Sequence, residues 1–248
     1  MNAQAQQIDA ITVPHAFFGG PFVVDPDVDL PANPTIEQQT KEAEKSLKRL
    51  RDNDQTLDSN RDLVDYFNDL ARRLLAAQDI KVPYPIVVHV STAPRVNAYA
   101  LLGGQIVVYS RIFELADNEA QLVAILGHEL SHELHNDSVF FWTATKNQEV
   151  SYGKNGLLEK SREIEARADL EATHMMYGAG WDPSEQVKIM ERIAKMGQTA
   201  RDNHRIFYST HPDDPQRIEA IRNAVAALPP KQSLAVDSQK FEDLKKAM

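Results

Sequence analysis

Apolar positions between residues 119 and 134 recur at helical spacing, with Leu122, Val123, Ile125, Leu126 and Leu130 forming one stripe. Asn118-Glu119-Ala120-Gln121 stands at its head as an N-cap with Gln at the third helical position, and Asn136-Asp137 is a natural stop. The pattern predicts a helix between those two signals. A second long helical stretch is expected from about Gly156 to Met176, where Ala166, Ala168 and Ala172 let it approach the first closely. Thr35-Ile36-Glu37-Gln38 opens another helix, to about Arg51, and a further one runs from about Ser59 to Ala77. Asp182-Pro183-Ser184-Glu185 caps one more, with Pro at the first helical position, and Asp214-Pro215 starts the next.

Strand signals are few. Pro85 to Val90 and Ala98 to Tyr109 give two or three short strands, the latter run broken at Gly103-Gly104. The expected fold class is therefore α+β, mostly helical, with a small sheet beside the helix of residues 119–134. Residues 1–34 carry Gly19-Gly20-Pro21, Pro26, Pro31 and Pro34 without sustained periodicity. They read as an extended or partly disordered arm, although Phe17, Phe18, Phe22 and Val23 can dock on a core. Residues 35–228 form the main domain, and Pro229-Pro230 leads into a short C-terminal segment, 229–248.

Composition is that of one globular domain, with 42% hydrophobic and 25% charged residues in 248. A net charge of −9 and a pI of about 5.4 argue against nucleic acid or an anionic membrane as partner. Lys45, Lys48, Arg49 and Arg51 read as one face of an exposed helix. The absence of cysteine excludes disulfides and thiolate metal sites but fixes no compartment. No run approaches the roughly 20 apolar residues of a spanning helix. Met1 leads into Asn2-Ala3-Gln4-Ala5 with no leader of signal type. A mature protein of the periplasm or another exported compartment fits this start, and so does a cytoplasmic one. Oligomeric state is not legible.

The chemistry lies on the first helix, in His128-Glu129-Leu130-Ser131-His132. Positions i and i+4 share a helix face, so both imidazoles can bind one zinc ion, and Glu129 can reach a water on that ion without being a ligand. Such an ion lowers the water's pKa toward about 7, and the carboxylate takes the proton. Catalytic zinc needs a third protein ligand. Glu165 and Asp169, again i and i+4, supply a candidate ligand and a carboxylate one turn on to orient a ligand histidine. Glu163 and Glu171 read as carboxylates on a solvated face, but the residues alone leave Glu163 open as third ligand.

At this point the chain resembles a family. HExxH followed by ExxxD, in the setting Ser161-Arg162-x-x-Glu165-x-x-Ala168-Asp169, looks like the gluzincin peptidases that include the CAAX prenyl proteases, HtpX and the periplasmic BepA-type proteases. Asn97-Ala98-Tyr99-Ala100 with Gly103-Gly104-Gln105-Ile106-Val107-Val108-Tyr109 is similar to the strand pair before the metal helix in that family. Gly178-Ala179-Gly180-Trp181-Asp182-Pro183 matches the turn after the glutamate helix, and Ser209-Thr210-His211-Pro212 leading to Arg217-Ile218 matches a downstream His-Pro segment. The resemblance spans roughly residues 60 to 225 and implies a zincin-like core. It also implies one Zn²⁺ per chain held by His128, His132 and Glu165, Glu129 as catalytic base and Asp169 as the supporting carboxylate. Asn97, Ala98 and Tyr99 then lie on an edge strand that pairs with extended substrate. His211 is a candidate oxyanion donor, an inhibitory fourth ligand, or the anchor of its turn; His204, Tyr208 and Arg217 are alternatives for the oxyanion. His15, His89, His135 and His174 read as surface or core residues.

Departures also count. Only 33 positions separate His132 from Glu165, room for one connecting segment that carries Phe140-Phe141-Trp142. No 34-residue helical repeat period follows residue 225. The expectation is a soluble catalytic core: a zinc endopeptidase acting on unfolded or extended polypeptide. The alternatives are a protease-fold chaperone holding clients in its groove, or a peptidase kept latent by the arm, by residues 138–155 or by His211.

Overall fold

A computed structural model describes residues 30–53, 56–94, 96–146, 153–199 and 215–247. Helix α1 (Ile36–Asn53) starts at the expected capping box: Gln38 N donates to Thr35 Oγ1 at 3.2 Å and Thr35 N to Gln38 Oε1 at 2.9 Å. Helix α2 (Arg61–Ala76) is capped by Asn60, whose side chain accepts from Leu63 N. Its buried face of Leu63, Phe67, Leu70 and Leu74 enters the main core.

Strands β1 (Val87–Ser91), β2 (Ala98–Ala100) and β3 (Gln105–Tyr109) form one sheet in the order β1-β3-β2. β1 runs parallel to β3, with Val88 opposite Ile106, while β2 is antiparallel, with Tyr99 opposite Val107. The expected break at Gly103-Gly104 is the β2–β3 turn, with φ of 61° and 85°. A Cβ at Gly104 would lie 2.4 Å from the Pro85 carbonyl oxygen, so only glycine fits there.

Helix α3 (Glu119–Leu134) crosses behind this sheet, and a left-handed Asn136 (φ 53°) turns the chain into α4 (Asp137–Lys146). The glutamate helix, α5 (Gly153–Ala179), is longer than expected at both ends. It meets α3 where a Cβ on Gly127 would come within 3.3 Å of Ala172, a close approach to which both helices contribute a small residue. Ala168 and Ala172 are fully buried in that contact region, whereas Ala166 is only partly so. Helices α6 (Ser184–Thr199), α7 (Pro215–Ala227) and α8 (Gln239–Ala247) complete the described chain. Asp182 Oδ1 accepts from Ser184 N at the start of α6, as the cap signal predicted. No helix among the described residues is long and apolar enough to cross a membrane.

The C-terminal segment is part of the core. Phe241 is fully buried and stacks on Phe113 with ring centroids 5.5 Å apart. Ahead of it, Asp237 Oδ1 accepts from Glu119 N and the Val236 carbonyl from Ala120 N, while Asn118 takes Gln121 N on its side chain and Leu122 N on its backbone. The first four N–H groups of α3 are thereby all satisfied. The capping box itself departs from expectation: Gln121 Oε1 accepts from Asp117 N rather than from Asn118 N. At the other end of the chain, Leu30 packs with Ala43, Leu102 and Trp142. Trp142 and Phe141 are buried, so these two aromatics support structure. The Phe-rich stretch of the arm, with Phe17, Phe18 and Phe22, lies outside the described residues.

Candidate metal centre

Three side chains converge where α3 faces α5. Ligand atoms of His128, His132 and Glu165 all lie within 4.8 Å of one another, and all three residues are buried. The two Nε2 atoms are 3.0 Å apart. Glu165 Oε2 lies 3.4 Å from His128 Nε2, and its Oε1 lies 3.5 Å from His132 Nε2. Helical spacing produces this: the histidines stand one turn apart on α3, and Glu165 reaches them across the small-residue contact.

Both imidazoles are oriented from behind. His128 Nδ1 sits 2.9 Å from Asp169 Oδ1, and His132 Nδ1 sits 2.9 Å from Asp137 Oδ2. With Nδ1–H donated to a carboxylate, each ring turns Nε2 toward the shared point, the tautomer a metal ligand needs. Arg217, on α7, is 5% exposed and clamps Asp169, with Nε 2.6 Å from Oδ2 and Nη2 2.9 Å from Oδ1. Its Nη1 also lies 3.0 Å from Glu165 Oε2. Burial raises the Asp169 carboxyl, but Arg217 and His128 outweigh it and hold the group below its ordinary value.

The same electrostatics act on the rings. Burial disfavours charge on His128, yet the Glu165 carboxylate and Asp169 overcome it and push its pKa up to about 10. His132 is driven down, by burial first and by charge on His128 among the further causes, against the hydrogen bond its ring donates to Asp137. One positive charge is thus favoured between two imidazoles and a carboxylate. A divalent cation meets the same field with three donors already aimed at it, so the residues fit a metal.

Glu129 faces the sheet. It is 1% exposed, and its Oε2 accepts from Ala100 N at 3.0 Å, which ties it to the edge strand. Asn97 O accepts from Tyr109 N and Leu101 N donates to Gln105 O, so Asn97, Tyr99 and Leu101 face β3 while Ala98 and Ala100 face away. The outward groups of Ala100 are used internally, by Glu129 and by the Ser138 hydroxyl at 3.3 Å. That leaves Ala98 as the β2 position whose backbone turns away from β3, and Ala98 and Asn97 are both buried.

Other sequence-level candidates separate cleanly. Glu163 is exposed and pairs with Lys160 at 2.9 Å, away from the centre. Glu171 departs from the expected solvated face: half-buried, it accepts from Ser131 Oγ at 2.6 Å and lies 2.8 Å from His135 Nε2, fastening α5 to α3. His89 is held between Asp58 and Gln105, and His174 is exposed. His15, His204, Tyr208 and His211 lie outside the described residues. Arg217, an alternative for the oxyanion, has its guanidinium turned to Asp169 and Glu165 instead. Asp137 and Arg167 also stand at the site, although in the sequence Asp137 reads only as a stop signal and Arg167 carries no signal of its own.

The model of Peptidase family M48 matches residues 60–153 and 143–225, over half of the chain. The chain belongs to this family. Among curated relatives, the M48 protein "Beta-barrel assembly-enhancing protease" of Escherichia coli (strain K12) is 22% identical over 197 residues, covering 68% of this chain and 40% of that protein. "Mitochondrial metalloendopeptidase OMA1" of Schizosaccharomyces pombe is 30% identical over 154 residues, covering 54% of this chain and 44% of its own. OMA1 of Saccharomyces cerevisiae is 27% identical over 157 residues. The chain spans less than half the length of these relatives. The family match runs from the start of α2 into α7, and the gluzincin resemblance holds.

Proposed function

We propose that this M48 chain is a zinc-dependent endopeptidase that hydrolyses peptide bonds in unfolded or extended polypeptide. His128, His132 and Glu165 would hold the ion, and the observation that carries the reading is their convergence with both Nδ1 atoms already committed to carboxylates. When bound there, zinc supplies Lewis acidity, acidifying water and polarising a carbonyl. The rest is work for the chain. Glu129 accepts the proton of the attacking water on its carboxylate, fixed in place by Ala100 N, and returns it to the leaving amine. Asp169, clamped by Arg217, keeps His128 in the metal-binding tautomer. By the family resemblance, substrate pairs in extended form along β2 at Asn97, Ala98 and Tyr99, with the Ala98 backbone turned away from β3. One strand edge reads backbone rather than side chains, which suits a protease of unfolded chains.

Zinc content and casein digestion, each measured on the parent and on Glu129→Gln, test this directly. About one zinc per chain is expected in both, because Glu129 is not a ligand, with hydrolysis in the parent alone. Parental cleavage by Glu129→Gln refutes the mechanism. A parent that binds zinc and unfolded casein without cutting it establishes the alternative, a protein that holds clients in the groove. His128→Ala and Glu165→Ala should each lose most of the metal.

A further inference from the structure

We infer that Asp137 and Arg167 form a second positioning pair for the metal centre, supporting His132 as Asp169 and Arg217 support His128. The inference rests on the proposed metal role of His132. Asp137 Oδ2 lies 2.9 Å from His132 Nδ1, and the carboxylate side chain is only 4% exposed. The same oxygen takes an ion pair from Arg167 Nη2. Arg167 stands on α5 two residues beyond Glu165, so α5 contributes to the ion's proposed ligand set and to both carboxylate supports.

Local backbone geometry makes the contact possible. In an unbroken helix, residue 137 would sit about 140° around the axis from residue 132, out of reach of its ring. The left-handed Asn136 ends α3 and turns the chain back, so that Asp137 opens α4 beneath His132. Tyr84 holds that corner by donating its hydroxyl to the Glu133 carbonyl at 2.8 Å and lying 3.3 Å from Asn136 Oδ1. The residue after Asp137 then reaches the sheet, where Ser138 Oγ donates to the Ala100 carbonyl. Asp137 thus joins the ring of one proposed ligand to the strand proposed to bind substrate. Anchoring the start of α4 and aligning His132 are a single act, and loss of Asp137 should loosen both.

The two pairs are not equal. Arg217 and Asp169 are 5% and 3% exposed at their side chains, whereas Arg167 is 30% exposed. Solvent screens the outer pair, so its contribution to metal retention is the smaller one.

The test is zinc release from the loaded protein to excess chelator, for the parent, Asp137→Ala, Asp137→Asn and Arg167→Met, with helix content followed by circular dichroism. Asp137→Ala should release zinc about 10- to 100-fold faster. Asp137→Asn, which keeps an oxygen for the ring N–H but not the charge, should fall between, and restoring Asp should restore the parental rate. Arg167→Met should quicken release less than Asp137→Ala does. Parental release from a folded Asp137→Ala, even with a lowered melting temperature, would make Asp137 a helix-start residue only and overturn the inference. If Asp137→Ala does not fold, parental release from both other variants overturns it equally. A parent chain that holds no zinc overturns the metal reading itself, and this inference with it.

Discussion

Helix α3 buries glutamates at both ends and treats them in opposite ways. At the N-terminal end Glu119 accepts from the Tyr66 hydroxyl at 2.8 Å, the Ser238 hydroxyl at 2.7 Å and Trp181 Nε1 at 3.2 Å. Those donors come from α2, the C-terminal segment and the turn before α6, so one carboxylate fastens three distant parts of the chain. Burial and the Glu119 charge push the Tyr66 hydroxyl far up, so it stays a donor at any working pH. At the C-terminal end Glu129 and Glu133 each take a backbone N–H from the sheet, of Ala100 and Gly104 respectively. There the carboxylates crowd one another. Burial first, and the charges of Glu129 and Asp137 with it, push the Glu133 carboxyl up to about 8. One end saturates a charge with neutral donors and gains rigidity; the other gathers charges that oppose one another. Sites built for chemistry carry that second signature.

The largest expected effect separates the ends by activity. Glu129→Gln should lower hydrolysis about 10²- to 10⁴-fold while leaving zinc content and the urea midpoint at or above the parental values. A large loss of stability in that variant would show that the C-terminal end is structural after all.

Its counterpart at the other end is Glu119→Ala. Tyr66, Trp181 and Ser238 would each bury a donor without its acceptor, so stability should fall by about 3–5 kcal/mol in urea unfolding. Activity per folded molecule should not change. A cost below about 1 kcal/mol would mean that water replaces Glu119 and that the network is not a fastener.

Much of this contrast was legible in the residues. Spacing alone put His128 and His132 on one face, and i,i+4 spacing put Glu165 and Asp169 on another, because helical periodicity is short-range and regular. The start of α3, the Gly103-Gly104 break and the long glutamate helix were equally local signals. What escaped depends on chain reversal or on contacts far apart in sequence. Asp137 lies five residues from its partner but on the far side of a left-handed turn. Glu119 meets Ser238 across 119 positions, and no periodicity announces that. Gly127, the small residue that lets α3 and α5 touch, meets Ala172 across 45 positions, which no periodicity announces either. Glu171 reads as solvated because its partners, Ser131 and His135, belong to another helix.

A smaller effect belongs to the metal end alone. Asp169→Asn keeps an oxygen for His128 Nδ1–H but loses the charge that Arg217 neutralises. Zinc should leave to a chelator about 10- to 100-fold faster, with helix content unchanged. Parental kinetics would make Asp169 a packing residue and weaken the family match at that position.

The smallest effect reads the crowding directly, through pH. Glu133 carries a raised pKa, the reverse of the usual carboxylate case. Between its ordinary value of 4.5 and about 8, the folded chain holds a proton that the unfolded chain has released. Folding then takes up a proton, so stability falls as pH rises through that window and the loss is complete above it. Glu133→Gln has no proton to lose and keeps an oxygen for Gly104 N. Measured with chelator present, its melting temperature should differ little from the parent's near about pH 5 and gain steadily on it up to about pH 8 or 9. A flat difference for Glu133→Gln would mean that the Gly104 N–H suffices to keep the acid ionised. The two ends of α3 would then bury charge in the same way.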